Sequence, residues 1–343
     1  MKVLRLHAAG VLEIHDEPDP VPGPGEELVR VTGVGLCGSD LHWYEDGGIG
    51  DARLSRALVL GHEIGGVIAT GPSTGQRVAV DPAIPCERCA ACVAGHANLC
   101  AALRFSGHGA TDGALRELMA WPRRLLQPVP DTITDPEIPL LEPLGVAIHA
   151  IELGHFRPGM RAGVYGCGPI GLLLIAALRA MGAAEIVATE PLPHRRTAAT
   201  ATGATSVWPV DEQGRSGDAA ADIVDVAFET AGEDGAVATA MAAVRFGGRV
   251  VLAGIPASDL TTFSASLARR KALSLVLSRR MKAHHLVRAT ALVEAGLVAL
   301  APIISATYPL EQADEAFVGL ARRDGLKVVI EPTRGPAPAT GRD

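Results

Sequence analysis

Two apolar runs, Ala162–Tyr165 and Ile170–Met181, are joined by the six residues Gly166-Cys167-Gly168-Pro169-Ile170-Gly171. The first run has the length of a short buried strand and the second the length of a helix. A strand that stops at glycines and restarts at once as a helix has few ways to fold. Gly166 permits a tight turn, Gly168 lets the backbone approach a pyrophosphate, and Gly171 lets the helix pack against the strand. The helix N-terminus, from Pro169 and Ile170 onward, then offers free N–H groups to the phosphates. A glycine-rich turn alone carries little information; the flanking strand and helix give this one its meaning. Further strands are expected at Glu185–Thr189, Asp222–Phe228 and Arg249–Ala253, with an Ala-rich helix at Ala236–Val244. Such alternation predicts an α/β fold with a doubly wound parallel sheet. Glu190 ends the strand that follows the glycine turn, where a carboxylate accepts hydrogen bonds from ribose hydroxyls and repels a 2′-phosphate. That favours NAD over NADP. A solvated carboxylate at a strand end is the plainer alternative, and Arg195 and Arg196 nearby would tolerate a phosphate.

The chain has 343 residues, which suggests two domains. Its net charge of -7 and the lack of a basic stripe argue against nucleic-acid binding. The start, MKVLRLHAAGVLEIHDEP, does not read as a signal peptide. The most apolar run, Ile170 to Leu178, is shorter than the ~20 residues that span a bilayer. A soluble cytoplasmic protein is the expectation. The first ~150 residues mix Gly and Pro with short apolar runs, as in a β-rich domain with many turns. Leu28–Val31 and Arg77–Val80 read as strands, and Pro22, Pro24 and Gly25 mark a turn. After Ala283 come an amphipathic helix, a second helix over Leu310–Arg322 and a last strand over Leu326–Ile330. The tail from Pro332 has no periodicity.

Cys86, Cys89, Cys92 and Cys100 have the spacing C-x2-C-x2-C-x7-C. Zinc takes four ligands at tetrahedral corners, and a shell of four thiolates leaves no open position. The cluster therefore predicts a structural zinc. Disulfides or ordinary buried thiols are the alternative, but the two other cysteines are isolated and no disulfide framework emerges. A second polar set consists of Cys37 in CGSDLH, His62-Glu63, and Glu142 in an apolar stretch. Cys, His and carboxylate are the ligands of zinc sites that keep a position open for water or substrate. Taken singly, each has a plainer reading: a core thiol, a satisfied core histidine, a helix N-terminal charge.

With these pieces together, the chain resembles the zinc-dependent medium-chain dehydrogenase/reductase family over nearly its whole length. CGSDLHWYEDGGIG followed by VLGHE is similar to the polyol branch: sorbitol, xylitol and idonate-type dehydrogenases. The resemblance implies a GroES-like β-rich catalytic domain over residues 1–148, completed by 283–343, and a Rossmann dinucleotide-binding domain over 149–282. It implies two zinc ions per chain. Cys37, His62, Glu63 and Glu142 match the catalytic-zinc positions, and the four clustered cysteines match the structural-zinc lobe. Ser39 matches the hydroxyl that bonds the reacting alcohol, His42 the relay histidine, and Asp40 the carboxylate that orients the zinc-bound imidazole. Glu63 and Glu142 are the acids of the catalytic set. Trp43, Tyr44, Phe105 and Arg280 match positions lining the polyol or nicotinamide pocket, with Arg280 on the cofactor side. The chain departs from that branch at Leu277 and Arg279 and in RFSGHGATDGAL. The implied activity is NAD-dependent oxidation of a secondary alcohol of a polyol or sugar acid to a ketone, in a homotetramer or dimer. L-threonine 3-dehydrogenase and simple secondary-alcohol dehydrogenases are alternatives within the fold; a non-catalytic NAD-binding protein is an alternative of another class.

Overall fold

The computed structural model describes residues 1–333 apart from 212–215, 217–220 and 257–259. The chain divides into two units, Met1–Glu142 with Ile304–Asp343, and Pro143–Ile303. Residues 283–303, expected in the first unit, pack in the second: the amphipathic helix there, Ala283–Glu294, buries His285, Leu286, Ala289 and Thr290. The expected tail lies almost wholly outside the described residues.

In the first unit, one sheet runs in the order Leu126–Pro128, Arg77–Val80, Glu63–Ile68, Glu26–Gly35, Lys327–Glu331 and Ile304–Pro309, and Leu118–Pro122 also pairs with Glu26–Gly35. Valines at 29, 31 and 34 suit a pleated, buried surface, and they join Ile64, Val78, Val80 and Phe317 in the core. The strand expected at Leu28–Val31 is longer than read, because it is central and paired on both sides. A separate antiparallel hairpin, Lys2–Ala8 with Val11–Asp16, precedes this sheet. The helix expected over Leu310–Arg322 is a 3-10 turn, Leu310–Gln312, followed by an α-helix, Ala313–Ala321.

The second unit holds six parallel strands in the order Ser206–Trp208, Glu185–Thr189, Arg161–Tyr165, Val224–Glu229, Val244–Leu252 and Ser274–Leu277. By chain order this is 3-2-1-4-5-6, the doubly wound arrangement. The direction of winding reverses between Arg161–Tyr165 and Val224–Glu229, and a crevice opens at the carboxyl ends of such a pair. Tyr165 and Glu229 are paired there, and the glycine turn begins one residue beyond. Helix Pro169–Ala180 starts with Pro at its first position and buries every residue from Gly171 to Leu178, as a helix against a sheet does.

Candidate metal and nucleotide sites

Cys37 ends the loop before helix Gly38–Asp46, and His62 immediately precedes strand Glu63–Ile68, which Glu63 opens. Sγ of Cys37, a His62 nitrogen and a Glu63 oxygen all lie within 4.8 Å of one another. Asp40 ties the two segments together. It is 1% exposed, and its Oδ2 accepts the Cys37 N–H at 3.0 Å while its Oδ1 accepts the Gly61 N–H at 3.2 Å. The same Oδ1 is 3.5 Å from His62 Nδ1. Burial opposes charging of His62, but Asp40 and then Cys37 outweigh it and raise the imidazole well above its ordinary range.

Glu63 sits against Gly35 of the neighbouring strand; a Cβ added there would lie 2.0 Å from Glu63 Oε2. Both Glu63 oxygens accept from Lys327 Nζ, at 2.7 and 2.8 Å, and that ammonium also donates to Leu36 O at 2.9 Å. Lys327 is a site residue that sequence reading missed. Glu142 falls in the first turn of helix Leu141–Leu153 and is 5% exposed. It feels the charges of His62 and Glu63 but lies outside the three-donor cluster. Burial, with Glu63 and Asp81 adding to it, pushes its carboxyl up to about 8. A carboxylate stacked against others in a closed space is what a bound cation would relieve, so the donor set fits zinc.

Ser39 is half-buried at the start of helix Gly38–Asp46. His42 is one turn on, with Nδ1 3.2 Å from Asp46 Oδ2 and its side chain 27% exposed. The expected pocket residues scatter. Phe105 packs on His62 with ring centroids 5.4 Å apart. Tyr44 instead stacks on Phe317 at 4.8 Å, and Trp43 is 2% exposed in the core with its ring edge-on to His108.

The four clustered cysteines come from a loop, the single turn Ala90–Val93 and the residue that follows the 3-10 turn Ala97–Leu99. Their sulfurs lie within 4.8 Å of one another, with Cys89 and Cys92 sulfurs 3.5 Å apart and Cys100 Sγ accepting the Cys86 N–H at 3.3 Å. Zn–S bonds of ~2.3 Å place tetrahedral sulfurs ~3.8 Å apart, so the thiols fit a zinc with little movement. The Cys92 N–H is the main cause that lowers the Cys89 thiol to about 6, so a thiolate is ready at neutral pH.

In the second unit, Gly166 has φ +104, a conformation that favours glycine. A Cβ on Gly171 would lie 2.0 Å from Gly166 O, whereas one on Gly168 would meet nothing nearer than the Arg195 guanidinium at 3.7 Å. The turn is therefore closed on its packing side and open at Gly168, and Pro169 and Ile170 are half-buried beside it. Glu190 is 3% exposed; its Oε2 accepts the Cys167 N–H at 2.8 Å and its Oε1 the Leu192 N–H at 3.0 Å. Arg196 donates to Glu190 O at 2.9 Å. Arg280 follows strand Ser274–Leu277 with φ +59, uncommon for a residue with a side chain. Sequence reading also missed Thr230, whose hydroxyl donates to Gly166 O at 2.7 Å and braces the turn from the neighbouring strand end.

A doubly wound unit with a phosphate-cradling turn, and a β-rich unit with one four-thiolate and one mixed-donor cluster, define a zinc- and dinucleotide-dependent oxidoreductase. The chain matches the family described as "Alcohol dehydrogenase GroES-like domain" over residues 23–131 and the one described as "Zinc-binding dehydrogenase" over 169–295. It is 33% identical to the sorbitol dehydrogenase of Bacillus subtilis over 97% of its length and 98% of the relative's. It superimposes on the L-idonate 5-dehydrogenase of Escherichia coli with a TM-score of 0.86 at 27% identity, covering 96% of this chain and 97% of that one. A protein of Sinorhizobium meliloti crystallised with NADP superimposes with a TM-score of 0.87 at 29% identity, over 96% and 99% of the two chains. The chain belongs to the zinc-dependent medium-chain dehydrogenase/reductase family and is an oxidoreductase of its polyol dehydrogenase branch.

Proposed function

We propose that this enzyme oxidises a secondary alcohol of a polyol or sugar acid to a ketone, with NAD as acceptor. The observation that carries the reading is the cluster of half-buried Cys37 with buried His62 and Glu63, clamped by Asp40. It is joined by the names of the relatives, which act on sorbitol and L-idonate. Zinc at this cluster supplies Lewis acidity, and NAD supplies the hydride acceptor. The chain's own residues do the rest. Cys37 and His62, with Glu63 or Glu142, hold the metal, and Asp40 fixes the imidazole's orientation. Ser39 takes the proton of the substrate hydroxyl, and His42 passes it on; its 27% exposure and Asp46 partner give that proton a way to solvent. Phe105, packed on His62, gives the reacting end an apolar wall. Cys86, Cys89, Cys92 and Cys100 hold the second zinc, which stabilises the fold.

For the cofactor, Gly166, Gly168, Pro169, Ile170 and Gly171 receive the pyrophosphate, with Arg195 beside Gly168. Glu190 faces the ribose. Its two backbone hydrogen bonds leave acceptor capacity for ribose hydroxyls and orient a charge against a 2′-phosphate. Arg280 serves the nicotinamide half. Strand Ser274–Leu277 ends the parallel sheet among the described residues, with Leu277 78% exposed, which supports a dimer built through that edge. No described helix is long and apolar enough to cross a membrane, and the cytoplasm is the proposed location.

The test is a panel of polyols, aldonates, L-threonine and simple secondary alcohols with NAD and with NADP, followed by absorbance of the reduced cofactor. The highest kcat/KM is expected on a polyol or aldonate with NAD. Preference for L-threonine or a simple alcohol would overturn the substrate assignment, and preference for NADP would overturn the role of Glu190.

A further inference from the structure

We infer that His7, Glu13 and His15 form a binding site for a divalent transition-metal ion on the first hairpin, additional to the two donor clusters described above. Val3 pairs with His15 and Arg5 with Glu13 across this hairpin. His7 is the extra residue of a β-bulge between the Leu6–Leu12 and Ala8–Val11 pairs. A bulge re-aims the side chain it carries. His7 lies four residues along its strand from the partner of His15, about 13 Å in a regular strand. Pairing alone would keep the two rings apart. Instead they lean toward each other over the Arg5–Glu13 pair, and their Nε2 atoms are 2.8 Å apart. Glu13 Oε2 is 3.7 Å from each of them.

Metal–nitrogen bonds of ~2.0–2.1 Å put neighbouring ligands of a tetrahedral ion ~3.3–3.4 Å apart. The three observed separations bracket that value, so an ion enters with shifts of about half an ångström. Side-chain exposures of 36%, 37% and 57% leave the outer side open to water. Arg5, which pairs with Glu13 across the hairpin, directs its guanidinium onto Glu17 and Asp112. Imidazole and carboxylate donors suit zinc, copper(II) or nickel(II) rather than calcium or magnesium. The other histidine cluster, His149, Glu152 and His285, is not equivalent. There His285 Nδ1 already accepts the Lys282 N–H at 3.0 Å, so Nε2 carries the ring proton and donates to Glu152 at 2.8 Å. His285 has no lone pair left for a metal, and Arg288 also holds Glu152.

The experiment uses the full chain with its resident zinc, dialysed against buffered micromolar free zinc and counted by elemental analysis. One zinc per chain beyond the resident ions is expected in the wild type. His7→Gln, His15→Gln and Glu13→Gln should each lose it while turnover and the resident zinc stay unchanged. These side chains are exposed and outside the catalytic machinery, so the variants should fold. The inference is overturned if the His7→Gln, His15→Gln double variant binds as much zinc as the wild type. Extra zinc that appears only at millimolar concentration would mean adventitious binding and overturn it equally.

Discussion

Lys327 and Glu63 are 2% and 1% exposed, and neither charge has water to fall back on. Burial works against the ammonium, yet Glu63, joined by Cys37 and Asp40, more than compensates and holds Lys327 above its ordinary range. Removing one member of a buried pair leaves the other uncompensated, typically at ~3–5 kcal/mol. Lys327→Met should therefore lower the thermal midpoint by several degrees and alter zinc retention at the Cys37 cluster. Calorimetry and elemental analysis check both, and an unchanged midpoint would deny the pair its structural role. Nothing local in LKVVI marks this lysine, because its partner is 264 residues away. The four clustered cysteines were legible for the opposite reason: all the donors lie within fifteen residues. Cys37, His62 and Glu142 are intermediate. Each is ambiguous alone, and only their resemblance to a family pattern joined them. The aromatic neighbours of the site were the least legible, since Trp43 and Tyr44 satisfy core packing and Phe105 alone reaches His62.

At the scale of elements, the glycine turn makes the sharpest prediction. A methyl group on Gly171 would meet Gly166 O at 2.0 Å, so helix and strand must separate to admit it. Gly171→Ala should destabilise the protein by ~1–3 kcal/mol and weaken NADH binding, read by unfolding and by fluorescence titration. Helices Leu141–Leu153 and Ala283–Glu294 make another. Burial, then His285 and Lys282, push His149 down to about 4 against Glu152's opposing pull. An unfolded histidine titrates near ~6.5. Between pH 6.5 and 4 the unfolded chain thus binds more protons than the folded one, and stability falls as pH falls. The wild type should lose thermal stability through that window more steeply than His149→Gln; parallel curves would contradict it. Four of the six parallel strands were legible because they are buried, mostly apolar runs, as at Glu185–Thr189, whereas the short, half-exposed edge strands Ser206–Trp208 and Ser274–Leu277 gave no such signal. Ile304–Pro309 was not, because its Ser305 and Thr307 break the apolar run and it sits at the sheet's edge.

At the scale of the molecule, every donor of the two zinc clusters belongs to the first unit, and the glycine turn and Glu190 belong to the second. Chelation should abolish turnover while NADH still binds, and Cys37→Ala should do the same. Loss of NADH binding on gentle chelation would show that the units depend on each other more than their composition implies. Cys92→Ala should instead lower thermal stability and zinc content. The first unit takes its last strands from residues 304–331, whereas the second is one continuous stretch. During synthesis, at about 5–20 residues per second, Lys327 emerges roughly 13–53 s after Glu63. For that interval the carboxylate has no lysine to bury with and must stay in water. The nascent first unit is therefore expected to stay open on the ribosome, sensitive to protease and to chaperone capture, while the dinucleotide-binding unit behind it has already folded.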